Sequence, residues 1–164
     1  MRVILGDITT FCGNAIVNAA NPELKRGDGV CGAIFDACPN EEMLIDACSK
    51  YGKIETRYNR MTSSFGMDAK EIIHAVGPVF NEGNPLYSRF LLLDTYREIF
   101  ATAWMYKIKS LAIPCISTGI YGYPKQEAAE VAVSVARLFP EFDVSFYCFD
   151  QENYDIYNKL LITH

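Results

Sequence analysis

Three nearly uninterrupted apolar runs, Ala15–Ala19, residues 71–76 and residues 110–116, constrain this chain more than any other feature. A strand wet on one face alternates apolar and polar side chains, whereas a strand covered on both faces is apolar throughout. A weaker run at 2–5, a half-exposed one at 58–63 and a last one at 143–149 raise the expected strands to six. Between them lie helical patterns. Val30, Ala33, Ile34 and Ala37 share one helix face, ended by Pro39. Asn40 is placed to cap a second helix from Glu41 to about Tyr51, with Gly52 at its exit. Leu92, Tyr96, Ile99, Phe100 and Ala103 form the stripe of a long helix over about 86–106. Trp104 and the tyrosines of that helix are read as core. Pro124 suits the first position of a helix reaching about Phe139, and Asp150 or Asn153 caps a last one through Leu161. Strands interleaved with helices in this way predict an α/β fold, a mainly parallel sheet covered on both faces.

In such sheets ligands bind beyond the carboxyl ends of the strands. Two glycine-bearing loops follow two of the strong strands, at 21–29 and 117–122. Glycines let the backbone approach an anion, and the first N–H groups of a following helix complete the cradle. The first loop matches neither G-x-G-x-x-G nor G-x-x-x-x-G-K-[ST]. Together the two loops could close on two phosphates.

The 164 residues suit one domain, 1–164, and 50% hydrophobic against 21% charged residues excludes a disordered chain. A net charge of -5 disfavours general nucleic-acid binding, which normally needs a basic surface, but not one small anion held by backbone amides. No signal peptide and no membrane-spanning run is read, and the six cysteines form no C-x-x-C pair. The expectation is a cytoplasmic monomer with reduced thiols, no metal site and no cofactor.

The motifs Gly6-Asp7-Ile8-Thr9, Ala15-Ile16-Val17-Asn18-Ala19-Ala20-Asn21, Gly27-Asp28-Gly29-Val30, Ile73-His74-Ala75-Val76-Gly77-Pro78 and Ile113-Pro114-Cys115-Ile116-Ser117-Thr118-Gly119-Ile120-Tyr121-Gly122 occur in this order and together resemble a macrodomain. The resemblance implies a three-layer α/β/α fold with a mixed, largely parallel sheet. It also implies ADP-ribose as ligand, with mono-ADP-ribosylated proteins as partners. By resemblance, Asp7 and the N–H of Ile8 meet the adenine, flanked by Phe149. Asn21 holds the distal ribose, against which Tyr121 lies. Gly29 and Val30 hold the phosphate next to that ribose and Ser117, Thr118, Gly119, Ile120 and Tyr121 the remaining phosphate oxygens, with Gly27, Cys31 and Gly122 also among the expected ligand-binding residues.

The implied activity is hydrolysis of mono-ADP-ribose from modified proteins, with Asn21 and Tyr121 as catalytic residues. The alternatives are a non-catalytic ADP-ribose reader, or a hydrolase of a small derivative such as O-acetyl-ADP-ribose or the terminal phosphate ester. Hydrolase macrodomains with four consecutive glycines carry an aspartate directly after the valine, where this chain has Cys31. Its Gly-Asp-Gly-Val-Cys run resembles the alphavirus macrodomains, and Asp28 is the nearby carboxylate that could substitute.

Plainer readings stand beside these. Asp7 could cap a turn, Asn21 could start one before Pro22, and the glycines could serve tight turns alone. Cys31 reads as a buried structural thiol rather than a nucleophile, because no histidine base is placed beside it. His74, inside an apolar strand, reads as a hydrogen-bonded core histidine.

Overall fold

A computed structural model describes residues 1–163. In chain order the elements are β1 (Arg2–Leu5), a 3-10 turn (Ile8–Thr10), β2 (Ala15–Ala19), α1 (Gly29–Ala37), α2 (Glu41–Ser49), β3 (Asn59–Ser63), β4 (Glu71–Ala75), α3 (Pro85–Met105), β5 (Ser110–Pro114), α4 (Lys125–Ala136), β6 (Asp143–Cys148) and α5 (Gln151–Ile162). The strands form one sheet in the order β1-β6-β5-β2-β4-β3, parallel except for the antiparallel β3–β4 pair. Among the described residues no helix is long and apolar enough to cross a membrane.

Strand periodicity sorts the sheet's side chains onto two apolar faces. Ala15, Val17, Ile73, Leu111, Ile113, Val144 and Phe146 pack on one side with the buried stripes of α3 and α4 and with Tyr157 of α5. Ile16, Ile72, Ala112 and Tyr147 pack on the other with Ile34 and Phe35 of α1 and Leu44 of α2. Helices on both faces make three layers, and cover on both faces is why the strands read as continuous apolar runs.

The long-helix stripe Leu92, Tyr96, Ile99, Phe100 and Ala103 is fully buried, as its spacing predicts. Trp104, by contrast, is 75% exposed, and Tyr87 and Tyr106 are also exposed. Trp104 follows the last stripe residue and so points about 100° round the helix from the sheet. Pro124 stands at the N-cap of α4 rather than inside its first turn. Asn40 occupies the N-cap of α2, but its side chain makes no capping bond and instead donates from Nδ2 to Phe65 O at 2.7 Å. Of the two candidates for α5, Asp150 is the cap, accepting the Asn153 N–H at 2.7 Å.

Candidate functional site

The carboxyl ends of β1, β2, β4, β5 and β6 all point to one edge of the sheet, which follows from their parallel pairing. β2 and β5 pair only at Ala15–Leu111 and Ile16–Ala112. Beyond that they diverge. The chain leaving β2 enters α1 on one face, and the chain leaving β5 enters α4 on the opposite face. This is a topological switch point, where an open α/β sheet leaves a crevice.

The crevice is a cavity of about 330 Å³. Its walls are the end of β2 (Ala19, Ala20, Asn21), the first loop and start of α1 (Gly27, Asp28, Gly29, Val30, Cys31), Gly77 after β4, and the chain after β5 (Cys115, Ile116, Ser117, Gly119, Ile120, Tyr121). Among the described lining residues, Asp28 alone carries a charged side chain. Arg26, next to the cavity, is tied to Asp36 and, at 2.7 Å, to Glu41, so it braces the loop against α1 and α2. An anion in this cavity would therefore meet backbone dipoles rather than cations.

The second loop supplies those dipoles by its own turn geometry. The N–H groups of Ile116, Thr118, Gly122 and Tyr123 donate to carbonyls of Pro114, Cys115, Gly119 and Ser117 respectively. Those of Ser117, Gly119, Ile120 and Tyr121, all cavity-lining residues, donate to no carbonyl among the described residues. Ser117 lies in the left-handed region at φ 69°, and its buried Oγ has no hydrogen-bond partner. On the opposite wall the first turn of α1 presents its N–H groups, with Gly29 at φ 60°, a conformation that disfavours a side chain. Gly77 lets the second loop pack against the chain that leaves β4: a Cβ there would come within 2.4 Å of Ile116 Cγ2 and 2.5 Å of Ser117 Oγ.

Asn21 is held at both ends of its carboxamide. Nδ2 donates to Lys25 O at 2.8 Å, and Oδ1 accepts from Lys25 N at 3.0 Å. One N–H and one lone pair remain for a ligand. Cys31 Sγ also donates to Lys25 O, at 3.5 Å, and it accepts from Asn18 Nδ2 at 3.7 Å. Burial pushes the Cys31 thiol pKa up, against a smaller opposing effect from the Asn18 bond. It is a neutral thiol at pH 7.

Behind that wall, His74 is fully buried and hydrogen-bonded: Asn18 Nδ2 lies 3.1 Å from Nδ1, and Thr62 Oγ1 2.9 Å from Nε2. Burial lowers its pKa to about 4. With Thr62 Oγ1 donating to Ser63 O, the consistent arrangement is a neutral imidazole accepting at Nδ1 and donating from Nε2. His74 is thus the core histidine that its strand predicts.

The structure does not bring every expected site residue onto the cavity wall. Thr118 Oγ1 donates to Cys115 O at 2.9 Å and Gly122 closes the turn onto Gly119, so both shape the loop instead of lining the cavity. Asp7, Ile8 and Phe149 do not line the cavity either; they follow β1 and β6 at the same edge of the sheet. Asp7 caps the 3-10 turn, its Oδ1 accepting from Thr9 N and Oγ1, while Ile8 is buried and Phe149 is 53% exposed. Ala19, Ala20, Gly77, Cys115 and Ile116 line the cavity without having been singled out as site residues. All five sit within the motifs named above, but no spacing in the sequence shows which residues of a motif face the crevice.

Comparison with known proteins agrees with this geometry. The Macro domain family model matches residues 17–132. O-acetyl-ADP-ribose deacetylases from Klebsiella pneumoniae (strain 342) and Enterobacter sp. (strain 638) are 41% and 42% identical over 172 residues, each covering 99% of this chain, and 97% and 93% of the relative. An Oceanobacillus iheyensis macrodomain with MES bound superimposes with a TM-score of 0.90 at 36% identity, over 98% of this chain and 89% of that one. A Trypanosoma brucei macrodomain in complex with ADP-ribose gives a TM-score of 0.88 at 31% identity, over 97% of this chain and 68% of that one.

Proposed function

We propose, from the premise that the chain belongs to the macro domain family, that it binds ADP-ribose and hydrolyses an ester of that nucleotide, with O-acetyl-ADP-ribose as the favoured substrate. The observation that carries this reading is the crevice between β2 and β5, walled by two sets of undonated N–H groups and almost without side-chain charge. The deacetylase name of relatives matched over nearly their whole length favours the acetyl ester.

In this reading the start of α1 and the Ser117–Tyr121 backbone hold the diphosphate, and Ser117 Oγ gains the partner it lacks. The adenine lies toward the ends of β1 and β6, near Asp7, the Ile8 N–H and Phe149. The distal ribose sits between Asn21 and the Tyr121 ring. Hydrolysis adds the water oxygen to the acyl carbon and breaks its bond to the ribose oxygen, releasing acetate and ADP-ribose. Asn21, pinned by Lys25, orients the ribose for that attack. Cys31, a protonated thiol without a base, shapes the wall and takes no covalent part. Asp28 is the carboxylate available on the wall to draw the proton from the attacking water.

Removal of mono-ADP-ribose from proteins is the second reading, favoured by the mouth of the cavity, where Gly29, Gly119 and Ile120 are exposed and leave room for a large substituent. The two are separated by offering the same enzyme O-acetyl-ADP-ribose and a mono-ADP-ribosylated acceptor protein. A larger kcat/KM on the acetyl ester is expected. Faster loss of label from the protein would transfer the assignment to the second reading, and turnover of neither would leave a reader of ADP-ribose.

A further inference from the structure

Two thiols meet where β5 and β6 end. Cys115 Sγ lies 3.6 Å from Cys148 Sγ and 3.8 Å from Tyr147 O. Among the described residues it is the one thiol–thiol contact. The parallel register pairs Pro114 with Tyr147, and its next step sets Cys115 beside Cys148. Neighbouring strands stand about 4.8 Å apart, inside the window of about 4.4–6.8 Å between the Cα atoms of a disulfide. The sulfurs would have to close by only about 1.5 Å to reach bonding distance.

The two cysteines differ in access. Cys148 is fully buried, whereas Cys115 is partly exposed and lines the cavity. Cys115 also heads the second loop, since its carbonyl accepts the Thr118 hydroxyl. A pull on Cys115 therefore moves the turn that aims the N–H groups of Ser117–Tyr121.

We infer that Cys115 and Cys148 form a reversible, peroxide-reactive dithiol whose closure to a disulfide distorts the second loop and weakens nucleotide binding. The effect on binding rests on the reading of the cavity as an ADP-ribose site. In the first step the Cys115 thiolate attacks one peroxide oxygen: an S–O bond forms, the O–O bond breaks, and the departing hydroxide takes up a proton to become water. Cys148 sulfur then attacks the sulfenic sulfur, the S–S bond forms, the S–O bond breaks, and a second water leaves. Two thiols together lose two electrons and two protons, and one peroxide becomes two waters. A thiol reductant reverses the change.

Cys115 faces Cys148 and Asp150 at the end of β6, Lys125 at the start of α4, Tyr96 of α3 and Tyr157 of α5. The S–H bond to Cys148 and burial hold its pKa well above the ordinary thiol value. The dithiol is therefore quiet at neutral pH and should oxidise faster as pH rises. A ligand filling the cavity should slow the reaction.

The test exposes the full chain to hydrogen peroxide at neutral and alkaline pH, alkylates the remaining thiols and maps the peptides by mass. The expected product is a 115–148 disulfide, formed faster at the higher pH, slowed by saturating ADP-ribose, reversed by dithiothreitol, and absent in Cys115→Ala and in Cys148→Ala. Oxidised wild type should then bind ADP-ribose about tenfold more weakly than the reduced protein. Full alkylation of Cys115 and Cys148, or disulfides formed only through the exposed Cys12, would overturn the dithiol, and a 115–148 disulfide with unchanged affinity would overturn its effect on binding. If the reduced protein bound no ADP-ribose, the functional reading would fall and the peptide map alone would decide the dithiol.

Discussion

At the scale of single residues, the most informative side chain is Asn21. It is visible in the sequence as an amide before Pro22, a place where a turn starter and a ribose ligand look alike, and in the structure its carboxamide braces the loop through Lys25 while part of it stays available. Replacement by Ala removes both roles. If orientation of the ribose is what Asn21 supplies, Asn21→Ala should lower kcat by about 10²-fold while KM changes severalfold at most. Steady-state kinetics on the ester would check this, and equal losses in affinity and rate would reduce Asn21 to a brace. His74 was legible as a core histidine because its strand is apolar. Its partners were not: Asn18 lies opposite it through the β2–β4 register, and Thr62 reaches it from β3, contacts that no local spacing encodes.

At the scale of elements, strands and helices follow the sequence closely because each carries its own periodicity and punctuation. The departures come from geometry that periodicity does not hold. Trp104 is apolar but lies off the buried face of α3, and Thr118 and Gly122 belong to a glycine-rich loop yet turn their groups inward to close it. Gly77 shows the same limit from the other side. It reads as an ordinary turn glycine before Pro78, but it is the contact surface on which the second loop rests. Gly77→Val should push Ile116 and Ser117 away and cost about 1–3 kcal/mol of stability through overpacking. The larger effect should fall on ADP-ribose affinity, lowered tenfold or more, because Ser117 carries one undonated N–H of the second loop and leads into those of Gly119, Ile120 and Tyr121. Thermal melts and calorimetry on one preparation would measure both, and unchanged affinity would separate the second loop from binding.

At the scale of the whole molecule, one sheet with parallel strands gathers every loop of interest at a single edge. That much was legible from buried strands alternating with helices. The cavity itself was not, because it arises where β2 and β5 stop pairing after two residues and their helices leave to opposite faces, a property of pairing rather than of either segment. Charge acts at this scale too. With a net charge of -5 and no lysine or arginine among the described lining residues, a diphosphate in this crevice would meet aligned backbone groups rather than cationic side chains. The most direct measurement is a calorimetric titration of ADP-ribose into the reduced wild-type protein, with ADP as the comparison ligand. Saturable one-to-one binding of ADP-ribose, tighter than that of ADP because of the distal ribose contacts proposed for Asn21 and Tyr121, is the predicted result. Absence of saturable binding at millimolar ligand would contradict the assignment of this crevice.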